Sequence, residues 1–257
     1  MDERKGGRQM ADRAGMETLL AELLQPDAFK DYGPNGLQVE GRREVRCIVS
    51  GVTASLAFID AAIEAGADTL LVHHGLFWRG HDGRLTGWLR QRVARLMAAD
   101  INLFAYHLPL DAHAEFGNNA QWGARLSLVA DARFGDQRLG FIGPAADTAL
   151  AALAGRVEQA LSRAPVVVPG DGRPLRRVAW CSGGAQGYFE AAIEAGADAF
   201  LTGEISEPQA HLARETGVAF LACGHHASER YGAPALAAHV AGRLGVSHHF
   251  IDLPNPA

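Results

Sequence analysis

The chain has 257 residues, 48% of them apolar and 21% charged, enough to bury a sizeable core in one large or two small domains. A formal net charge of −5 argues against broad electrostatic binding to nucleic acid, which rests on a basic surface. No stretch approaches the roughly 18 consecutive apolar residues of a membrane span, so a cytoplasmic protein with no membrane partner is expected.

Residues 1–15 are polar, charged and without an apolar core segment, and read as a flexible tail. Residues 45–50 alternate and carry β-branched side chains, which predicts a strand. Thr53 or Ser55 can cap a helix running to Ala65, Gly66 supplies a left-handed stop, and residues 69–72 are strand-like. Apolar residues at helical spacing (Leu85, Leu89, Val93, Leu96, Met97) predict a helix over 85–99 that leads into a strand over 101–106. Arg79, Arg84, Arg90, Arg92 and Arg95 read as a solvated helix face. Residues 126–177 contain strand-like runs at 139–142 and 165–168, a helix over 147–161 and a turn at Pro169-Gly170-Asp171-Gly172. A strand over 177–182, a helix ending at Ala195, Gly196 and a strand over 199–202 follow. Ser206-Glu207-Pro208-Gln209 is a capping box opening a helix to about residue 215, before a strand over 218–223. A C-terminal helix over 233–244 and a strand over 248–251 can return to the first half. The cysteines, Cys47, Cys181 and Cys223, form no C-x-x-C, fall in apolar runs and read as buried reduced thiols.

An internal repeat organises these elements. Ala61-Ala62-Ile63-Glu64-Ala65-Gly66-Ala67-Asp68 recurs identically from Ala191 to Asp198, an offset of 130 residues. Each copy reads as a βαβ unit, so the strands should run parallel with helices packed on them. The fold class is therefore α/β, two similar lobes from a duplication. The expected layout is lobe 1 over 16–125, to which 233–257 can return, and lobe 2 over 126–232.

The chemistry concentrates where predicted strands end, the place where open parallel α/β sheets bind ligands. His73-His74 ends one strand, and two others run into His107-Leu108-Pro109-Leu110-Asp111 and His225-His226-Ala227-Ser228-Glu229, each a histidine followed four residues later by a carboxylate. Imidazoles and carboxylates in this number suit a metal site, with zinc, manganese, iron, cobalt and nickel all compatible. Adjacent strand residues diverge, so His73 and His74 can seldom face one ion and could each serve a different one. Asp111 or Glu229 could bridge two ions about 3.5–4 Å apart. His81, His113, His211, His239, His248 and His249 read as non-ligands. Gly33-Pro34-Asn35-Gly36-Leu37-Gln38 and Gly117-Asn118-Asn119 are either substrate loops or ordinary turns.

These segments, with the run from Asp31 to Gly41, Val72-His73-His74-Gly75 and Gly224 to Arg230, closely resemble the Nif-three-like family, also labelled GTP cyclohydrolase type-two homologues. The resemblance runs from about residue 16 to the C-terminus. It implies two divalent metal ions in a cleft between two similar α/β lobes, and a toroidal homohexamer built as a trimer of dimers. The ligands it implies are His73, His74, Asp111, His225 and Glu229. His107, His226 and Glu204 become candidates to orient those ligands, face substrate or transfer protons, with His107 also a possible weaker ligand. Gly203-Glu204 occupies the place of His73-His74 in the second copy, so one composite site is expected.

The function this implies is a metal-dependent hydrolase, cyclohydrolase-like, acting on a nucleotide or nucleobase-like small molecule. The chain has no P-loop and no G-x-G-x-x-G after a strand, so phosphates would need Arg or Lys side chains. The alternative is a non-catalytic metal-binding ring that scaffolds protein partners or contacts nucleic acid, for which the acidic charge is unfavourable.

Overall fold

The computed structural model describes residues 11–257. In chain order the elements are α1 (Arg13–Leu24), β1 (Gly36–Val39), β2 (Cys47–Thr53), α2 (Leu56–Glu64), β3 (Thr69–His74), α3 (Gly87–Ala98), β4 (Asn102–Ala105), α4 (Leu108–Ala112), α5 (Asn118–Arg125), β5 (Ala132–Phe134), β6 (Gly140–Pro144), α6 (Leu150–Leu161), β7 (Val166–Val168), β8 (Arg177–Trp180), α7 (Phe189–Glu194), β9 (Ala199–Thr202), α8 (Glu207–Thr216), β10 (Ala219–Ala222), α9 (His225–Glu229), α10 (Gly232–Leu244) and β11 (Ser247–Phe250). Residues 1–10 of the expected tail lie outside the described residues. Residues 13–15 are not tail but the first turn of α1, because the Asp12 carboxylate accepts the Gly15 N–H at 2.8 Å and caps the helix.

The chain forms two compact units. Unit 1 comprises the residues up to Ala28, Tyr32–Tyr106 and Ala237–Ile251; unit 2 comprises Phe29–Asp31, His107–Leu236 and Asp252–Ala257. The change of unit comes at Tyr106–His107 rather than near residue 125. Its cause is local bonding: Asn119 Nδ2 donates to Leu139 O, Asn119 Oδ1 accepts the Ser182 N–H, and Trp180 Nε1 donates to Asn119 O, which ties α5 to the strands of unit 2.

Unit 1 holds a five-stranded sheet in the order β1-β4-β3-β2-β11, in which β2, β3, β4 and β11 run parallel and β1 is antiparallel at the edge. Unit 2 holds a six-stranded sheet in the order β5-β6-β8-β9-β10-β7, in which β8, β9 and β10 run parallel and β5, β6 and β7 join antiparallel. The βαβ stretches are parallel as their periodicity predicts. Antiparallel strands join both sheets beyond the βαβ units, and β1 in particular starts inside the Gly-Pro-Asn-Gly segment read as a substrate loop or ordinary turn.

The repeated residues do the same work in each unit. Ile48 pairs with Thr69 and Val178 with Ala199, the same register displaced by the repeat offset. Asp68 Oδ2 accepts the N–H groups of Arg46 and Cys47 at 2.7 and 3.1 Å, and Asp198 Oδ2 accepts those of Arg176 and Arg177 at 2.8 and 3.1 Å. Each carboxylate thus pins the start of one strand from the start of the next. Gly66 and Gly196 take the left-handed conformation, φ 76° and 83°, that ends α2 and α7.

Alternation along the unit 2 strands splits the core into two layers. Phe200 and Phe220 point to a cluster with Phe134 and Phe189, while Leu201 and Leu221 point to one with Trp122, Trp180 and Val157. Phe189 meets Phe220 edge-on at 4.9 Å and stacks on Phe200 at 5.9 Å. Burying each such ring contributes roughly 1.5–3 kcal/mol. Cys181 and Cys223 are buried free thiols, with burial pushing both pKa values up. Cys47 is only half-buried, because it opens β2 near the sheet end.

Candidate metal centre

In unit 1, β3 delivers His73 and His74 at its C-terminal end. His73 is fully buried and its Nδ1 lies 3.0 Å from the Tyr106 carbonyl, which only an Nδ1–H can satisfy. His74 is half-buried, with Nδ1 3.1 Å from Thr53 Oγ1 on the neighbouring strand. The two ring centroids stand 4.5 Å apart at 41°, so the end of the strand brings together rings that a regular pleat would send to opposite faces. Beyond them, Gln38 fixes the following loop: its Oε1 accepts the Leu76 N–H at 2.7 Å and its Nε2 donates to Pro34 O. A Cβ at Gly75 would run into the Gln38 amide, which would then have to shift. Gln38, in the segment read as either a substrate loop or an ordinary turn, braces the His73-His74 turn.

In unit 2 the two H-x-x-x-acid motifs fall at short helices, α4 and α9; in α9 the helical spacing of four sets Glu229 beside His225, whereas His107 precedes α4 as its N-cap. Asp111 is buried on α4, its Oδ1 receiving Asn118 Nδ2 at 2.9 Å and Ser182 Oγ at 3.1 Å. Asn119 Nδ2 donates to the Asp111 carbonyl at 3.2 Å. Asn118 and Asn119 are fully buried, which removes Gly117-Asn118-Asn119 as a substrate loop and makes it the support of Asp111.

His225 on α9 lies between two carboxylates, with Nδ1 2.6 Å from Glu204 Oε1 and Nε2 3.1 Å from Glu229 Oε2. The hydrogen bond to Glu229 is the main cause that raises the His225 pKa to about 9; Glu204 adds to it and burial opposes it. Gly183 (φ +69°) passes so close that a Cβ would collide with the Glu229 carboxylate, and its N–H donates to Ser228 Oγ at 2.9 Å. Gly203, the counterpart of His73, has its missing Cβ position 2.6 Å from the backbone of His225. A histidine cannot stand there, which is the physical reason that the second copy lacks the pair.

The remaining candidates separate. Glu204 holds His225, as just described. His107 Nδ1 lies 2.7 Å from Asp31 Oδ1. His226 Nε2 lies 3.2 Å from Asp252 Oδ1, and Arg230 pairs with the other oxygen of Asp252 at 3.3 Å. His226 is thus engaged with the C-terminal segment. His248 of β11, read as a non-ligand, bonds Ser50 Oγ at 2.8 Å. Asp31, Thr53, Ser182 and Ser228 were not singled out as individual site residues by the sequence; their partners lie 21 or more residues away except for Ser228, whose Oγ also donates to His225 O.

Among the described residues, His73, His74, His107, Asp111, His225 and Glu229 offer ligand atoms suited to holding a metal ion. Nitrogen and carboxylate oxygen donors without thiolate fit a borderline divalent transition metal.

A model of the Duf34/NIF3 (NGG1p interacting factor 3) family matches residues 12–256. The chain belongs to this family. It is 54% identical over 237 residues to the GTP cyclohydrolase 1 type 2 homolog of Neisseria meningitidis serogroup B, covering 92% of this chain and 95% of that one. It is 50% identical over 249 residues to the protein of the same description from Pseudomonas aeruginosa, covering 94% and 98%. Among solved structures, protein ybgI, described as of unknown function, aligns with a TM-score of 0.92 at 44% identity over 96% of this chain and all of that one. TTHA1606 from Thermus thermophilus aligns with a TM-score of 0.87 at 36% identity and the same coverage. The Duf34/NIF3 membership and the α/β fold that the motifs implied are both borne out. No helix among the described residues of this Duf34/NIF3 protein is long and apolar enough to cross a membrane.

Proposed function

We propose that this Duf34/NIF3 protein is a metal-dependent hydrolase that holds two divalent ions on His73, His74, Asp111, His225 and Glu229 and acts on a nucleotide or nucleobase-like small molecule. The observation that carries the reading is shared by four histidines. His73, His74, His107 and His225 are each held through Nδ1, by Tyr106 O, Thr53 Oγ1, Asp31 and Glu204 respectively. An imidazole anchored through one nitrogen presents the other in a fixed direction and tautomer, which is the preparation that metal-ligating histidines need. Asp111 is likewise oriented by Asn118 and Ser182.

Two bound ions would supply an activated water at neutral pH and polarise the bond it attacks. The chain's own groups hold the ligands in place, and Glu204 controls the proton on His225. The relatives' description as GTP cyclohydrolase homologues supports a purine nucleotide as the first substrate to test, with hydrolysis of a ring C–N bond.

The test is elemental analysis of the wild type, His74→Ala and Glu229→Ala, followed by a GTP assay with and without added metal. About two ions per chain, lost in both variants, with nucleotide turnover only in the loaded wild type, is the expected result. Substoichiometric metal that neither change affects, or no turnover in the fully loaded protein, overturns the reading.

A further inference from the structure

Two loops of unit 1 meet beside His74. One enters β1 and carries Tyr32 and Gly33; the other leaves β3 and carries Phe77, Trp78 and Arg79. Their backbones are locked together. The Arg79 N–H donates to Tyr32 O at 2.5 Å, and Gly33 passes so close that a Cβ there would collide with the Phe77 carbonyl oxygen. The His81 N–H closes the next turn on Trp78 O at 3.1 Å. The side chains at this junction are therefore presented from a fixed backbone.

Trp78 is half-buried, and its ring centroid lies 5.8 Å from that of His74 at an angle of 57°. Tyr32 is 57% exposed, and the Arg79 guanidinium stands 5.6 Å from the centre of its ring, within cation–π range. The sequence groups Arg79 with the arginines of α3, but it stands ahead of that helix, on the loop that follows His74. Burial does not account for an exposed tyrosine ring with a cation set over it. Flat rings with a guanidinium beside them are, however, what holds bases and phosphates in sites that lack a phosphate loop.

We propose that Trp78 and Arg79 are the substrate-selecting residues of the hydrolytic site: the nucleobase stacks on the indole next to His74, and the guanidinium of Arg79, carried by the Tyr32 ring, takes the phosphate. The proposal rests on the hydrolase reading above and supplies what the sequence left open. With no P-loop, phosphate falls to an Arg or Lys side chain, and Arg79 is an arginine on the same loop as a candidate ligand. Every base has a π-face, so Trp78 sets the class of substrate as a planar heteroaromatic, whereas Arg79 sets the preference for a nucleotide over its nucleoside.

The test is titration calorimetry of the zinc-loaded protein with GTP and with guanosine, for the wild type, Trp78→Leu, Trp78→Phe and Arg79→Gln, beside elemental analysis of zinc and a GTP turnover assay. Removing an aromatic platform weakens base binding by about 5–150-fold. Trp78→Leu should fall in that range for both ligands, while Trp78→Phe, which keeps a flat ring, should recover most of the loss. Arg79→Gln should weaken GTP by about tenfold and leave guanosine unchanged. Zinc content should stay that of the wild type in all three. Unchanged binding in Trp78→Leu, or guanosine weakened as much as GTP in Arg79→Gln, overturns the proposal. Loss of zinc from Trp78→Leu overturns it too, because the ring would then be only a support for His74. A zinc-loaded wild type that binds neither ligand has the same consequence. GTP turnover that none of the variants slows keeps the hydrolase reading and removes this one. Conversely, a wild type that binds GTP through Trp78 and Arg79 but never hydrolyses it removes the hydrolase reading and leaves the nucleotide site standing.

Discussion

His225 of α9 and Glu204 form the shortest imidazole–carboxylate contact among the described residues of unit 2, Nδ1 to Oε1 at 2.6 Å. With Glu229 at 3.1 Å from the opposite nitrogen, one ring lies between two carboxylates, and the hydrogen bond to Glu229, with Glu204 adding to it, pushes its pKa up to about 9. A divalent ion taking Nε2 must displace a proton there. Below about pH 9, metal binding is therefore expected to release a proton from His225, with affinity rising with pH and levelling off above that value. Titration calorimetry at pH 7 in buffers of different ionisation enthalpy measures the release; the same apparent enthalpy in every buffer would count against it. For the metal-free chain the sign is the reverse. A folded-state pKa raised from 6.5 gives stability that is complete below pH 6.5 and is lost as pH rises through about 9.

Glu204→Gln should keep the fold, since the Glu204 side chain is 44% exposed, but it removes the charge that helps hold His225. Metal affinity should drop by about 10–100-fold, the usual cost of losing a partner behind a ligating histidine. Competition against a chelator of known affinity checks this, and an unchanged affinity would show that Glu229 alone orients the ring.

Asn118 and Asn119 are expected to behave differently despite being adjacent. Asn119 ties the Asp111 carbonyl, the Leu139 carbonyl and the Ser182 N–H together, so Asn119→Ala should destabilise by about 2–4 kcal/mol through buried groups left unpaired. Asn118 acts on the Asp111 carboxylate itself and on the Gly232 N–H, so Asn118→Ala should lower metal content at a smaller cost in stability. Urea unfolding beside elemental analysis separates the two effects.

Gly183→Ala places a methyl group against the Glu229 carboxylate and asks a side chain to adopt φ +69°. The backbone cost is about 1–2 kcal/mol, and Glu229 must also move. The expected outcome is a lowered Tm together with metal loss. A variant that keeps full metal content would place Glu229 outside the ligand set.

Asp68→Ala removes the acceptor of the Arg46 and Cys47 N–H groups at the start of β2, and Asp198→Ala does the same for Arg176 and Arg177 at β8. Hydrogen bonds to a charged group contribute about 1.5–3 kcal/mol each. Asp68 is the more buried of the two, so its loss should cost more, which chemical denaturation of the two variants will show directly.

Local chemistry made much of this molecule legible. Ser55 capping α2, the Ser206–Gln209 capping box of α8, the glycine stops at Gly66 and Gly196, and the helix α6 all follow from residues within a turn of one another. The same holds for α4 and α9, where a four-residue spacing is at once a motif and a helical turn. Edge strands were harder. β1 and β5 are short and carry no sustained alternation, and β1 exists because β4 offers it an unpaired edge.

The sequence by itself determined which residues could act as ligands and that they lie where strands end, at β3, β4 and β10, because strand ends and helical spacing are properties of a few neighbouring residues. Only the tertiary structure decided which group steadies each candidate ligand. Tyr106 O behind His73, Glu204 behind His225, Asn118 and Ser182 behind Asp111, and Asp31 behind His107 come from 7 to 76 residues away. Such pairings depend on chain crossings and sheet order, which no local pattern of side chains specifies.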